Sequence, residues 1–247
     1  GSATADGRPL FHKNRDNTMR PQAFYRKATE LPGRDPIPYL AVGDTSDTGV
    51  MMVVNAEGLA GSADMAGPDP DPYYDGVMNP YGLRLIAETA TTCGEAFEIV
   101  RMMNDRGLYA GAGIATHWTF TDRHGRTMVV YNSHRRVAIS TDTQDGFVIA
   151  TERPGLRELL QERTGKLTPG DFNEASRLPG VVVESNCSSL TVQIDPDRPA
   201  TLTCAWAALG NADKAPYFPL YMGIAAMPRA YVDGTVFAYS HRHPSAE

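Results

Sequence analysis

The run Val50-Met51-Met52-Val53-Val54 constrains this chain more than any other segment. Five consecutive apolar residues are too few for a core helix and present no polar face. Such a run is stable as a strand covered on both sides, so the sheet that holds it needs one layer above and one below. It breaks at Asn55-Ala56-Glu57-Gly58, an Asn-x-x-Gly turn, and a strand of small residues follows from Ala60 to Asp64. Small side chains let a ligand or another backbone come close, although a tight hairpin in a packed sheet needs them equally.

Other strand signals dominate the chain. Pro9 to Lys13 follows an Asp6-Gly7 turn. Thr116 to Thr121, a turn at Asp122-Arg123-His124-Gly125, and Thr127 to Tyr131 read as a hairpin. Arg135 to Ser140, Gly146 to Ala150, Ser189 to Ile194, Thr201 to Ala207 and Thr235 to Tyr239 continue the pattern. Helices are fewer. Thr92-Cys93-Gly94-Glu95 reads as a capping box, with Ala96, Ile99, Val100 and Met103 at helical spacing behind it and Gly107 as a stop. Leu83 to Ala90, Pro154 to Arg163 and Pro169 to Arg177 are further helical segments. The Pro/Asp stretch Gly67 to Pro72 is an irregular loop at the surface or the rim of a pocket. No linker interrupts the series, so residues 1–247 read as one domain of antiparallel sheets with helices packed on them.

Composition removes several partners. The 23 basic and 29 acidic residues give a net charge of -6, which offers no field to hold a nucleic acid. No apolar run approaches the ~20 residues of a membrane helix, so no membrane partner is expected. Cys93, Cys187 and Cys204 form no disulfide framework and match no zinc spacing. A reducing, cytoplasmic setting is expected, with no metal and no cofactor. Phosphate-binding loops, dinucleotide fingerprints, nucleophile elbows and zinc-protease helices have no counterpart in the chain.

Several segments could carry chemistry. The first strand ends in Lys13-Asn14-Arg15-Asp16, which by composition alone is a strand running into solvent. His117 lies inside a strand, where a lone histidine is more often a hydrogen-bonded structural residue. Glu152-Arg153 sits at a strand-to-helix junction and suits a helix dipole. Cys187 has no base beside it in sequence and reads as a small buried hydrophobe. His241 and His243 lie in a polar tail without a carboxylate or cysteine neighbour.

Taken in order, these segments resemble one family. Ala3-Thr4-Ala5-Asp6-Gly7-Arg8-Pro9-Leu10 with Lys13-Asn14-Arg15-Asp16 resembles the start of N-terminal-nucleophile (Ntn) hydrolases of the choloylglycine hydrolase, penicillin V acylase and isopenicillin-N acyltransferase-like branches. Asn55 to Leu59 resembles their Asn-x-x-Gly-Leu turn, and His117-Trp118 with Asp122 and Gly125 resembles their hairpin. Trp206 to Gly223, with Pro216-Tyr217-Phe218-Pro219, resembles the C-terminal region of the acyltransferase-like members. The resemblance implies an α+β fold, a four-layer αββα sandwich of two antiparallel sheets. It implies a small-molecule amide substrate and a nucleophile, usually cysteine, at the processed N-terminus. The α-amine of that residue, titrating near ~8, can take the thiol proton. Asp16, Asn14 and Lys13 are then expected at the nucleophile, and Arg15, Asp64, Glu152 and His117 at the substrate.

The chain departs from the family pattern at several positions. The arginine usual ahead of the asparagine is Lys13, the glutamate ending the hairpin is Tyr131, and the asparagine near the oxyanion is Glu152. An ionised Glu152 cannot donate to an oxyanion. None of the three cysteines is N-terminal, and Ser2 lies too close to the turn to serve. Two other readings stay open: a dipeptidase of the same superfamily, with Asp64 or Glu152 holding the substrate amine, and a non-catalytic binding protein. A short N-terminal segment or a second copy of the chain is a further expected partner. The hairpin at Asp6-Gly7 needs a first arm. We therefore expect the native gene to encode a cysteine about seven residues before Gly1, followed by one ~5–6-residue strand. Intact mass and N-terminal sequencing of the native protein check this, and a native chain beginning at Gly1 would favour the binding protein.

Overall fold

The computed structural model describes residues 2–17, 21–27, 35–45 and 49–242. His243 lies outside them, as does the side chain of His241. The apolar run becomes β4 (Met52–Asn55), and its neighbours in a seven-stranded antiparallel sheet are β3 (Tyr39–Asp44) and β5 (Ala60–Pro68). That sheet runs β2 (Gln22–Lys27), β3, β4, β5, β6 (Ile114–Thr121), β7 (Thr127–Ser133) and β8 (Arg136–Thr143) in chain order. Alternation sends its side chains to two cores. Leu40, Val42, Met52 and Val54 join one, while Tyr39, Ala41, Val53, Trp118 and Phe120 join the other.

The second core lies under α1 (Asn79–Thr89) and α2 (Cys93–Asp105). The first is closed by a smaller sheet of order β1-β9-β10-β11, made of β1 (Leu10–Asp16), β9 (Asn186–Gln193), β10 (Cys204–Leu209) and β11 (Tyr217–Tyr221). Phe11, Leu190, Val192, Ala205 and Ala207 fill that middle layer. On the outer face of the small sheet lie α3 (Leu156–Glu162) and α4 (Pro169–Ala175), with Asn173 bonded to Thr191 at 2.7 Å. The result is a four-layer αββα sandwich. The short α5 (Pro199–Leu202) and α6 (Arg229–Val232) and the terminal α7 (Thr235–Arg242) complete the order.

Several local expectations need correction. Thr235 to Tyr239 is helical, because Val236 and Phe237 are adjacent and both enter the middle core, which alternation would forbid. Residues 146–150 pair with no strand among the described residues, and Phe147 and Ile149 instead pack with Leu156, Leu160 and Phe172 in a small third cluster. Residues Thr201 and Leu202 form the end of α5, so β10 begins at Cys204. Glu95 of α2 bonds the amide of Thr91, at 2.7 Å, rather than that of Thr92, so the box closes one residue early.

The Asp6-Gly7 turn is present, with Gly7 at φ 76° and the Arg8 amide donating to Asp6 Oδ1 at 3.1 Å. Its N-terminal side does not pair with β1. The Ala5 amide donates to the Leu167 carbonyl at 3.0 Å, and the Leu167 amide to that of Ala3 at 3.2 Å. One edge of β1 pairs with β9, and the other has no strand beside it among the described residues.

Asn55 is a tie between layers. Its amide donates to the Ala87 and Ala90 carbonyls at 3.0 and 2.7 Å, and its Oδ1 accepts from the Glu57 and Leu59 amides at 3.2 and 3.0 Å. Gly58 follows at φ 79°, where a Cβ would lie 2.9 Å from that of Arg123. Replacing Asn55 by Ala leaves buried polar groups at the end of α1 and in the turn without partners. A loss of about 2–4 kcal/mol in urea unfolding is expected, and less than about 1 kcal/mol would contradict this account.

Candidate active site

Side chains with chemical potential gather along the open edge of β1. A cavity of about 300 Å3 lies there. Lys13, Asn14 and Asp16 line it from β1, Ser62 and Asp64 from β5, and Arg153, Leu156, Leu160, Phe172 and Ser176 from the helical side. A smaller cavity of about 100 Å3 continues along the strand, with His12, Thr119, Val148 and Phe172 common to both.

Strand alternation divides the polar end of β1 between two layers. Lys13 and Arg15 face the large sheet. The Lys13 ammonium pairs with Asp64, joining the two sheets at the cavity wall. Arg15 is buried and donates through Nη1 to Asp44 Oδ1 at 2.7 Å and to Gln22 Oε1 at 2.8 Å. Arg15, expected at the substrate, does not line the cavity, and its guanidinium is held by β2 and β3. His12 and Asn14 face α4 instead. His12 Nε2 lies 3.1 Å from Asn14 Oδ1, and His12 Nδ1 lies 2.8 Å from Thr191 Oγ1. Asn14 Oδ1 also accepts from Ser189 Oγ at 2.6 Å, and Asn14 Nδ2 donates to the Ser176 carbonyl at 3.0 Å.

Asp16 reaches the cavity through a defect in the ladder. The β1–β9 register shifts between Arg15 and Asp16, a bulge that re-aims the side chain at the strand end. Buried Asn186 stabilises it, donating to the Arg15 carbonyl at 3.1 Å and to Asp16 Oδ1 at 3.2 Å.

The remaining expected residues lie elsewhere. Glu152 is exposed, pairs with Arg157 and does not line the cavity, whereas the adjacent Arg153 does. His117 stands opposite Asp64 in the β5–β6 register, edge-on to Tyr131 at 5.8 Å, and is not part of the cavity wall. Asp122 is structural: its Oδ1 accepts from the His124 and Arg126 amides and its Oδ2 from the Cys93 amide. Burial pushes the Cys93 and Cys187 thiols up and that of Cys204 to about 12, and none of the three lines the cavity. His12 is the residue that the sequence reading missed. Its signal was present, since period-two alternation puts it on the same face as Asn14.

No group of three His, Cys, Asp or Glu that could hold a metal occurs among the described residues, and no helix among them is long and apolar enough to cross a membrane. No protein-family model and no curated protein sequence matches the chain. Solved structures do. Penicillin V acylase from Agrobacterium tumefaciens is 12% identical, with 86% of this chain and 82% of that chain covered, at a TM-score of 0.58. Two variants of the conjugated bile acid hydrolase from Clostridium perfringens are 11% and 10% identical, with 89% of this chain and 90% of theirs covered, at TM-scores of 0.55 and 0.56. The chain thus has the Ntn-hydrolase sandwich fold.

Burial in the cavity wall pushes His12 down to about 4, against the support of Asn14 and with that of nearby Lys13. The unfolded chain takes this proton at the ordinary histidine value, so stability falls as pH drops from ~6.5 towards 4. We expect a loss of about 1–2 kcal/mol between pH 7 and pH 5 in urea unfolding from this group. His12→Gln should remove that part of the slope, and an unchanged slope would contradict the assignment.

Proposed function

We propose that this chain forms the site of an amide-bond hydrolase or acyltransferase for a small N-acyl substrate, acting through an N-terminal nucleophile on a strand laid beside β1. The observation that carries this reading is the open edge of β1, which runs along a cavity holding Lys13, Asn14 and Asp16. An extended segment on that edge gains main-chain hydrogen bonds and ends near Asp16. The fold shared with an acylase and a bile acid hydrolase supports the same class of chemistry.

In this reading the terminal amine takes the nucleophile's proton, and the Asp16 carboxylate orients the resulting ammonium. Lys13, held by Asp64, keeps positive charge beside the nucleophile. The nucleophile adds to the amide carbonyl, the amine leaves with the returned proton, and water or an amine takes up the acyl group. Leu156, Leu160 and Phe172 suit an apolar acyl group. The dipeptidase reading loses support, because Glu152 lies outside the cavity and Asp64 is paired with Lys13.

Turnover of N-acyl amides and dipeptides by the full-length protein tests the proposal. N-acyl amides should be hydrolysed, and Asp16→Ala should lower kcat/KM by about 100-fold or more. Unaffected processing and turnover in that variant would remove Asp16 from the site. Binding of N-acyl amides without turnover would favour a binding protein.

A further inference from the structure

Asn14 has its side-chain amide fixed in one orientation. The Ser176 carbonyl can only accept, so Nδ2 must face it, at 3.0 Å. Oδ1 then faces two donors, Ser189 Oγ at 2.6 Å and His12 Nε2 at 3.1 Å. Because Oδ1 can only accept, a neutral His12 donates through Nε2 in this bond, and its Nδ1 then accepts the Thr191 hydroxyl proton, with the Asn173 amide turned so that Nδ2 donates to Thr191 Oγ1. Nδ2 carries two N–H groups and Ser176 receives one. The second has no protein partner among the described residues, and Asn14 lines the cavity.

Acyl transfer needs a donor where the carbonyl oxygen gains charge. Glu152, at the position where the resemblance implies an asparagine for that role, cannot donate and lies outside the cavity. Lys13 is engaged by Asp64. Asn14 stands two residues before Asp16 on β1, roughly 7 Å along the strand, within reach of a group held between them.

We infer that the second N–H of Asn14 is the donor that meets the substrate's carbonyl oxygen, and that His12 is the positioning residue that aims it. When the nucleophile bonds to the carbonyl carbon, the π pair moves onto oxygen. Asn14 stabilises that oxyanion by a hydrogen bond, with no proton transferred. Ser189 and His12 together prevent the amide from turning its oxygen towards the substrate. This inference rests on the amide-bond reading above.

The test uses the full-length protein with octanamide as a binding probe and N-(4-nitrophenyl)octanamide as a substrate. On binding octanamide, one proton of the Asn14 side-chain amide should shift in the NMR spectrum. Asn14→Asp should lower kcat about 100-fold with little change in KM. His12→Leu should lower kcat about tenfold at unchanged KM and weaken the octanamide shift. His12→Gln, which keeps an N–H donor, should restore both to within about threefold. Should His12→Leu not fold, Ser189→Ala removes the other donor to Oδ1 and should lower kcat in the same way. An unperturbed Asn14 amide in wild-type protein overturns the inference, as does full turnover in the His12→Leu or Ser189→Ala variants. Absence of turnover with the octanamide shift intact overturns the hydrolase reading and supports Asn14 as the carbonyl donor.

Discussion

The register between β1 and β9 decides which side chains reach which layer. Lys13 opposite Leu190 and Asn14 opposite Ser189 put odd residues of β1 against the large sheet and even ones against α4. A slip of one residue would exchange them. His12 and Asn14 would then enter the apolar layer with Phe24 and Leu40, and Lys13 would lose Asp64. Leu190 and Val192, buried on the inner face beside Ser189 and Thr191 on the outer, hold that register against slippage. The polar network around Asn14 is available because β9 turns the small hydroxyl residues Ser189 and Thr191 to the outer face beside β1.

A second constraint sits between the sheets. Arg15, Gln22, Asp44 and Ser188 form a buried polar cluster at the end of the apolar layer. A buried ion pair is a weak source of net stability, and removing one partner is costly. What it supplies here is alignment. The Arg15 guanidinium binds β2 and β3 while its carbonyl accepts from Asn186, so the bulge that aims Asp16 is tied to both sheets.

The parts legible in the sequence were those whose pattern was local. The Asp122–Gly125 hairpin, the Thr92 cap and the doubly covered strand before Asn55 each followed from chemistry within a few residues. β2 and β3 gave no such signal, since the Pro32-Gly33 pair lies in an 11-residue connection between Gln22–Lys27 and Tyr39–Asp44, longer than the loops that mark a hairpin. Phe147 and Ile149 look like a strand because they are apolar and alternate, yet they pair with no strand among the described residues. At the site, the order of motifs singled out Lys13, Asn14, Asp16 and Asp64, which line one cavity. It could not separate Arg15 from them, because alternation gives the face of a side chain and not what fills the space opposite. Nor could it remove Glu152, whose distance from the cavity depends on an irregular loop.

The third hydrophobic cluster has a consequence for access. Among the described residues only Ala3, Leu160 and Leu167 are buried in it, with Leu10, Phe147, Ile149, Leu156 and Phe172 packed around them. The other two clusters each bury many more apolar side chains. Burial of apolar surface scales the free energy of opening, so the α3–α4 layer is the cheapest part of the sandwich to lift. That layer carries the apolar wall of the cavity. Partial opening there, in the manner of a cooperative subunit of folding, would expose the open edge of β1 to solvent while both sheets stay closed. Hydrogen exchange in the amides of α3 and α4 would then report on traffic into the cavity rather than on unfolding of the protein.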